Sequence, residues 1–435
     1  MKLSFQKQVR LALLYFLIAA AFGVILRSFQ VFNLNFNYRF IVHGHSHIAI
    51  LGWVYVCVTV LFNKLFIQKT NKIHREYVGI FIATQISLLG MLITFPFQGY
   101  AFLSITFSTL FLLVSYGFCW FFIKNIKVEI KSLICYPYLK ASLFYLVLSS
   151  IGPWALGGIM ATLGPTSIWY RLSIYFYLHF QYNGWMFFAI LGILLFIVES
   201  HSITFSRRYH KIFFIIINIS VVATFFLSTL WTEPIGMVYV LSALGAMLQI
   251  VCFGYAVLWI KNHSTTINTI FKGTPKLLLQ IVLGVLGIKL FLQFLGSFPY
   301  FAKVGASIIE LTLAYLHGVF LGLVSISLFL ILSITGYSKL TVKKMCVYLI
   351  GFLLTESLLV YKGMMILNKK SSIIANYYEY LLIASTILFL GIAIIFLKEK
   401  APLKNLPVNR LNLSKHEIKS QDKRKDNLQN HGPVS

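Results

Sequence analysis

The chain has 435 residues, of which 59% are hydrophobic and only 11% charged, and its mean hydropathy is +0.83. A soluble domain carries about a quarter charged residues, so a soluble fold is excluded. The formal net charge of +26 does not indicate nucleic acid, because the basic residues lie in short connections between long apolar runs, where they set membrane orientation.

The first apolar run lies in MKLSFQKQVRLALLYFLIAAAFGVILRSFQ. It is too long for a signal peptide and has no small-x-small cleavage site, so it reads as a first membrane span. Further runs follow near 40–63, 77–96, 101–123, 140–162, 173–198, 211–231, 236–260, 277–298, 306–333, 344–366 and 375–397. With the first, near 11–29, each is long enough to cross a bilayer as a helix. The pattern predicts an all-α, polytopic membrane helical bundle of about twelve transmembrane helices. One domain covers 1–397, and a basic, disordered tail covers 398–435. No internal repeat is visible. The five cysteines form no CxxC pair and read as small packing residues.

Charge orients the bundle. Lys2, Lys7 and Arg10 precede the first span, and every second connection is basic: Lys64, Lys69, Lys72 and Arg75; Lys124, Lys127 and Lys131; Arg207, Arg208 and Lys211; Lys261 and Lys272; Lys339, Lys343 and Lys344. The alternate connections are short and nearly uncharged, apart from Lys369 and Lys370. The positive-inside rule puts both termini in the cytoplasm, with the protein in the cytoplasmic (inner) membrane.

Ionisable groups within membrane spans are expensive and usually functional. The second span carries FIVHGHSHIAILGWVYV, with His43, His45 and His47 at alternate positions. At about 100° per residue, His43 and His47 share one helix face and His45 points about 200° away. His179 lies in span six and His317 in span ten, so three spans running the same way offer imidazoles to the half of the membrane away from the cytoplasm. His317 is expected to be the deepest. Imidazoles on facing helices suit axial ligation of haem or binding of another metal. Glu310 lies seven residues before His317 on the same face. Lys289 lies within span nine, and Tyr182 follows His179. These three are candidates for moving protons.

Twelve spans, cytoplasmic termini and histidines in spans two, six and ten resemble subunit I of the haem–copper oxidase superfamily. HSHIAILGW, HFQYNGW and YLHGVFLG are similar to histidine segments of that family. The first matches an H-x-H-x4-G-W signature found there on the tenth helix. The resemblance implies a b-type haem held by one of His43, His45 or His47 together with His317. It also implies copper as a second candidate metal, with His179 in a copper-ligand position and His45, His47 and His317 as further metal candidates. The implied partners are the lipid bilayer, a cytochrome c or quinol donor, and other oxidase subunits. Span seven has no histidine pair, span ten has a single histidine, and Asn183 stands four residues after His179 where some oxidases have a tyrosine. The usual oxygen-reducing binuclear centre is therefore not expected, and whether the protein is an enzyme stays open. The resemblance implies electron transfer or the handling of oxygen or nitric oxide; short haem- and copper-containing membrane proteins linked to nitric oxide stress are also similar. A reading from another class is a proton-coupled transporter that uses Lys289, Glu310 and the intramembrane histidines.

Overall fold

The computed structural model describes residues 4–201, 203, 206–337, 340–370 and 373–397. The tail at 398–435, Lys2 and Lys339 lie outside the described residues. Among the described residues, twelve helices are long and apolar enough to span a membrane. They are α1 (Phe5–Ser28), α2 (Tyr38–Phe66), α3 (Asn71–Gln98), α4 (Phe102–Asn125), α5 (Cys135–Thr162) and α6 (Ile168–Glu199), then α7 (Arg207–Thr232), α8 (Gly236–Asn262), α9 (Thr274–Leu295), α10 (Ile309–Ile334), α11 (Val342–Leu367) and α12 (Tyr377–Phe396). The all-α polytopic bundle expected from hydropathy is what forms.

Helix starts follow local side-chain chemistry. Asn37, Thr70 and Ser167 turn their side-chain oxygens onto free N–H groups at the first turns of α2, α3 and α6, which is how helix N-termini satisfy orphan donors. In α5 the helix is interrupted at Ser150, three residues before Pro153, so the SSIGPWALGG stretch is a break in the span.

Consecutive spans run up and down, which contacts at one end make plain. The Lys64 ammonium lies 5.7 Å from the Phe5 ring centroid, and the Arg10 guanidinium lies 5.2 Å from that of Phe396. Ile67 pairs with Ile126 in a single antiparallel bridge. The start of α1 and the ends of α2, α4 and α12 therefore share one end, here termed the basic end. In its connections, burial together with Lys127 and Lys64 lowers the Lys69 ammonium to about 8. The opposite end is termed neutral.

Burial sorts the helices into two layers. In α2, α6 and α10, 83, 72 and 67% of the most apolar window is buried, against 22–39% in the other nine. The three histidine-bearing helices are thus the centre and the others form a ring. Ring helices turn apolar stripes outward, such as Ile82, Ile86, Leu89, Ile93 and Phe97 on α3. In water such a stripe would be an association site; in a bilayer it is the lipid face.

The central helices hold one another through a few contacts. Trp53 on α2 donates from Nε1 to Ser325 Oγ on α10 at 2.9 Å. Tyr55 of α2 meets Trp185 of α6 at 5.6 Å between ring centroids, and Tyr182 of α6 meets Phe320 of α10 at 5.9 Å.

Each central helix also widens to a π-helical turn directly after its histidine. The widened stretches are Ile48–Tyr55 after His47, Phe180–Met186 after His179 and Gly318–Ser325 after His317. Carbonyls at these wide turns are taken by side chains: Phe320 O accepts from Ser325 Oγ and Leu321 O from Tyr348 Oη, each at 2.8 Å. A glycine stands five residues after each of these histidines, at Gly52, Gly184 and Gly322. Each is a point of close approach. A Cβ would meet Tyr15 Cβ of α1 at 2.8 Å at Gly52, Tyr145 Cβ of α5 at 2.7 Å at Gly184, and at Gly322 Phe352 Cζ of α11 at 2.8 Å and Val285 Cγ1 of α9 at 3.1 Å. A histidine, a wide turn and a close-packed glycine thus recur on α2, α6 and α10, a local repeat not noticed in the sequence.

Candidate functional site

The neutral halves of the central helices differ from their basic halves. Of Tyr38–His47 only Ile41 and Gly44 are buried, of Ile168–His179 only Ser173 and His179, and of Ile309–His317 none. On the basic side nearly every residue of Val56–Phe66 and Ile326–Ile334 is buried. The central helices are therefore packed tightly on the basic side of the histidines and more loosely on the neutral side.

The three clustered histidines take the two faces expected from helix phase. His47 stacks on Phe95 at 4.3 Å between centroids, and His43 lies against Tyr100 at 4.6 Å. His47 Nδ1 donates to the His43 carbonyl at 2.9 Å, and its Nε2 lies 3.4 Å from the Tyr100 hydroxyl. His45 points the other way, to α1, where its Nδ1 donates to the Ala19 carbonyl at 2.8 Å. A Cβ at Gly23 would stand 3.5 Å from His45 Cε1, in ordinary van der Waals contact with that ring.

His317 and Arg27 lie within electrostatic range of His45. His317 Nδ1 stands 3.4 Å from Glu356 Oε1 of α11, a charge contact without hydrogen-bond geometry. Glu356 Oε2 is buried and has no hydrogen-bond partner. Gly318, the next residue, would place a Cβ in open space. Glu310 faces α11 as well and forms an ion pair of 2.8 Å with Lys362, which also donates to the Tyr378 hydroxyl at 3.3 Å. Glu310 and His317 thus share a face, as their spacing predicted. His317 stands 8 residues from the start of α10 at Ile309, after the separate short helix Pro299–Ser307, and His179 stands 11 residues into α6.

His179 is only 2% exposed and both of its nitrogens are engaged. Nε2 donates to the Val221 carbonyl at 2.9 Å, and Nδ1 accepts from Asn183 Nδ2 at 3.2 Å. Asn183 Oδ1 in turn accepts from the Lys289 ammonium at 2.6 Å. Tyr182 lies within polar interaction range of Tyr315 and Asn183. Lys289, Tyr182 and His179 therefore form one polar chain, while Glu310 belongs to a different cluster with Lys362.

Among the described residues, no group of three or more His, Cys, Asp or Glu side chains is arranged to hold a metal ion. His43, His45, His47, His179 and His317 do not converge on one point. Sequence reasoning gave little weight to Glu356 and Lys362 and none to Arg27. The signal was present: Glu356 and Lys362 are six residues apart on α11, and so meet two residues seven apart on α10. No protein-family model matches the chain, and no curated protein matches it.

Proposed function

We propose that the protein is an integral haem protein of the cytoplasmic membrane, similar in plan to subunit I of the haem–copper oxidases, that works in electron transfer or in handling oxygen or nitric oxide. One observation carries this reading. His45 and His317 lie on two central helices within electrostatic range of each other, and each has its Nδ1 side toward an acceptor, the Ala19 carbonyl or the Glu356 carboxylate. A histidine that ligates a metal through one nitrogen characteristically gives the other to a carbonyl or carboxylate, which fixes its tautomer and raises its basicity.

The residues fit a haem and do not fit copper. For haem there are two imidazoles on neighbouring central helices, a loosely packed neutral half around them, and Arg27 within electrostatic range as a cation that suits a propionate. A bound haem supplies one-electron redox chemistry, with a potential set by axial ligands and their surroundings. The Ala19 carbonyl holds the His45 ring, Glu356 places negative charge beside His317, and Lys362 neutralises Glu310. The His179 position lacks companions, and both of its nitrogens are already used within the protein.

The test is a reduced-minus-oxidised spectrum of the detergent-purified protein from haem-replete cells, with pyridine haemochrome and elemental analysis. A sharp α-band is expected, lost in His45→Ala and in His317→Ala and retained in His43→Ala. A colourless protein without iron overturns the reading.

A further inference from the structure

A second feature lies on the other side of the central helices and does not depend on haem. A cavity of about 240 Å³ runs between α6, α7, α8, α9 and α10. Along α6 its lining extends from Tyr182 to Val198, about 24 Å at about 1.5 Å per residue. Most of that length is apolar, lined by residues such as Leu283 and Leu286 of α9 and Phe253 of α8. Tyr255 of α8 also lines it and is 46% exposed, so the cavity reaches the lipid-facing side of the bundle.

Its upper end is different. Lys289 lines the cavity with 7% exposure, and the one hydrogen bond its ammonium makes there is to the neutral Asn183 amide oxygen. Ser327 lines it too, is 1% exposed, and its hydroxyl has no hydrogen-bond partner. An ammonium in an apolar interior needs a compensating acceptor, and a buried hydroxyl needs a partner. Among the described residues, a buried ammonium at one end and a hydroxyl without a partner along the wall of a long apolar slot open to lipid describe a recognition site with a defined polarity.

From this arrangement we infer that the cavity binds a lipid-soluble molecule with a single apolar chain and an oxygen-acceptor head, the head meeting Lys289 and the chain running between α8 and α9. A quinone carbonyl and a fatty-acid carboxylate share that chemistry. The ammonium offers either head a charge-assisted hydrogen bond, the strongest contact available at this depth.

The experiment is equilibrium binding of two probes, a decyl-chain benzoquinone and oleate, to the full chain in nanodiscs of phosphatidylethanolamine and phosphatidylglycerol. At least one probe is expected to bind saturably. Lys289→Met is expected to weaken it roughly tenfold or more, the effect of losing a charged hydrogen bond. Filling the slot with Leu286→Trp or Leu283→Trp is expected to abolish binding, with thermal unfolding of each variant read alongside to show that it is folded. Oleate alone marks an acid head and the quinone alone a carbonyl head, and each supports the site. Binding of neither probe, or binding that survives Lys289→Met and both tryptophan variants in folded protein, overturns it. The result is independent of the haem spectrum.

Discussion

At the scale of single residues, the neutral half of the bundle is organised by two pairs across α10 and α11, His317 with Glu356 and Glu310 with Lys362. Both members of the second pair keep less than a fifth of their side-chain surface exposed. Removing one partner of a buried pair leaves an uncompensated charge, at a cost of about 3–5 kcal/mol, whereas removing both is far milder. Lys362→Met is therefore expected to lower the thermal stability of the detergent-solubilised protein sharply, and Glu310→Gln added to it to restore most of the loss. Equal damage from the single and double variants would sink this account. For the first pair the expected readout is electrochemical. With haem bound, Glu356→Gln removes negative charge behind His317, so the oxidised iron is less stabilised and the midpoint potential rises. A tenfold change corresponds to about 59 mV for one electron, and a potentiometric titration reads it. The histidines were legible in the sequence because an imidazole in a span stands out against apolar neighbours. Their acceptors were harder to see: Ala19 contributes only a backbone carbonyl, and Arg27 resembles any basic residue at a helix end.

At the scale of elements, the common feature of α2, α6 and α10 is a histidine, a π-helical stretch and a glycine five residues on. A π-turn costs hydrogen-bond geometry and recurs at functional sites, and three directly after a histidine mark where the tightly packed basic half of the central helices gives way to the looser neutral half. The glycines explain how the wide turns stay packed. At Gly52 and Gly184 the obstructing atoms are the Cβ atoms of Tyr15 and Tyr145, which are fixed to the backbone and cannot swing away. Both tyrosines are also tethered, by hydrogen bonds of 2.9 Å to Gln85 on α3 and 3.0 Å to Asn218 on α7. Gly52→Ala and Gly184→Ala should each destabilise by about 1–3 kcal/mol, the usual cost of overpacking. Gly117→Ala on α4, where a Cβ meets nothing within 4 Å, should be neutral or slightly stabilising, since alanine favours helix more than glycine. Thermal unfolding of the three variants side by side makes the comparison. This repeat escaped the sequence because it is carried by a histidine and a glycine in units 132 and 138 residues apart (47 to 179 and 179 to 317), with the rest of each unit free to vary so long as it stays apolar.

At the scale of the whole molecule, hydropathy sufficed for the class of fold and the number of spans, because spanning helices must be long and apolar whatever they do. It did not distinguish centre from ring. Ring helices are as apolar as central ones, since lipid and protein interior are both apolar, and only the packing separates them. Orientation rests on charge. The basic connections gather at the end where Phe5, Lys64, Arg10 and Phe396 meet, and translocation of such segments is disfavoured. On the orientation that this charge pattern predicts, His45 and His317 face away from the cytoplasm, and an electron donor to a haem between them would dock outside or arrive through the bilayer. Labelling tests this. Four of the five cysteines are buried and Cys346 is exposed, so a Cys346→Ser background carries new cysteines. One at Thr166, in the neutral α5–α6 connection, should react in intact cells with a membrane-impermeant maleimide. One at Thr70, in the basic α2–α3 connection, should react only after permeabilisation. The reverse pattern would place His45 and His317 on the cytoplasmic side, and any donor to a haem between them would then have to be a cytoplasmic protein or a molecule of the inner leaflet.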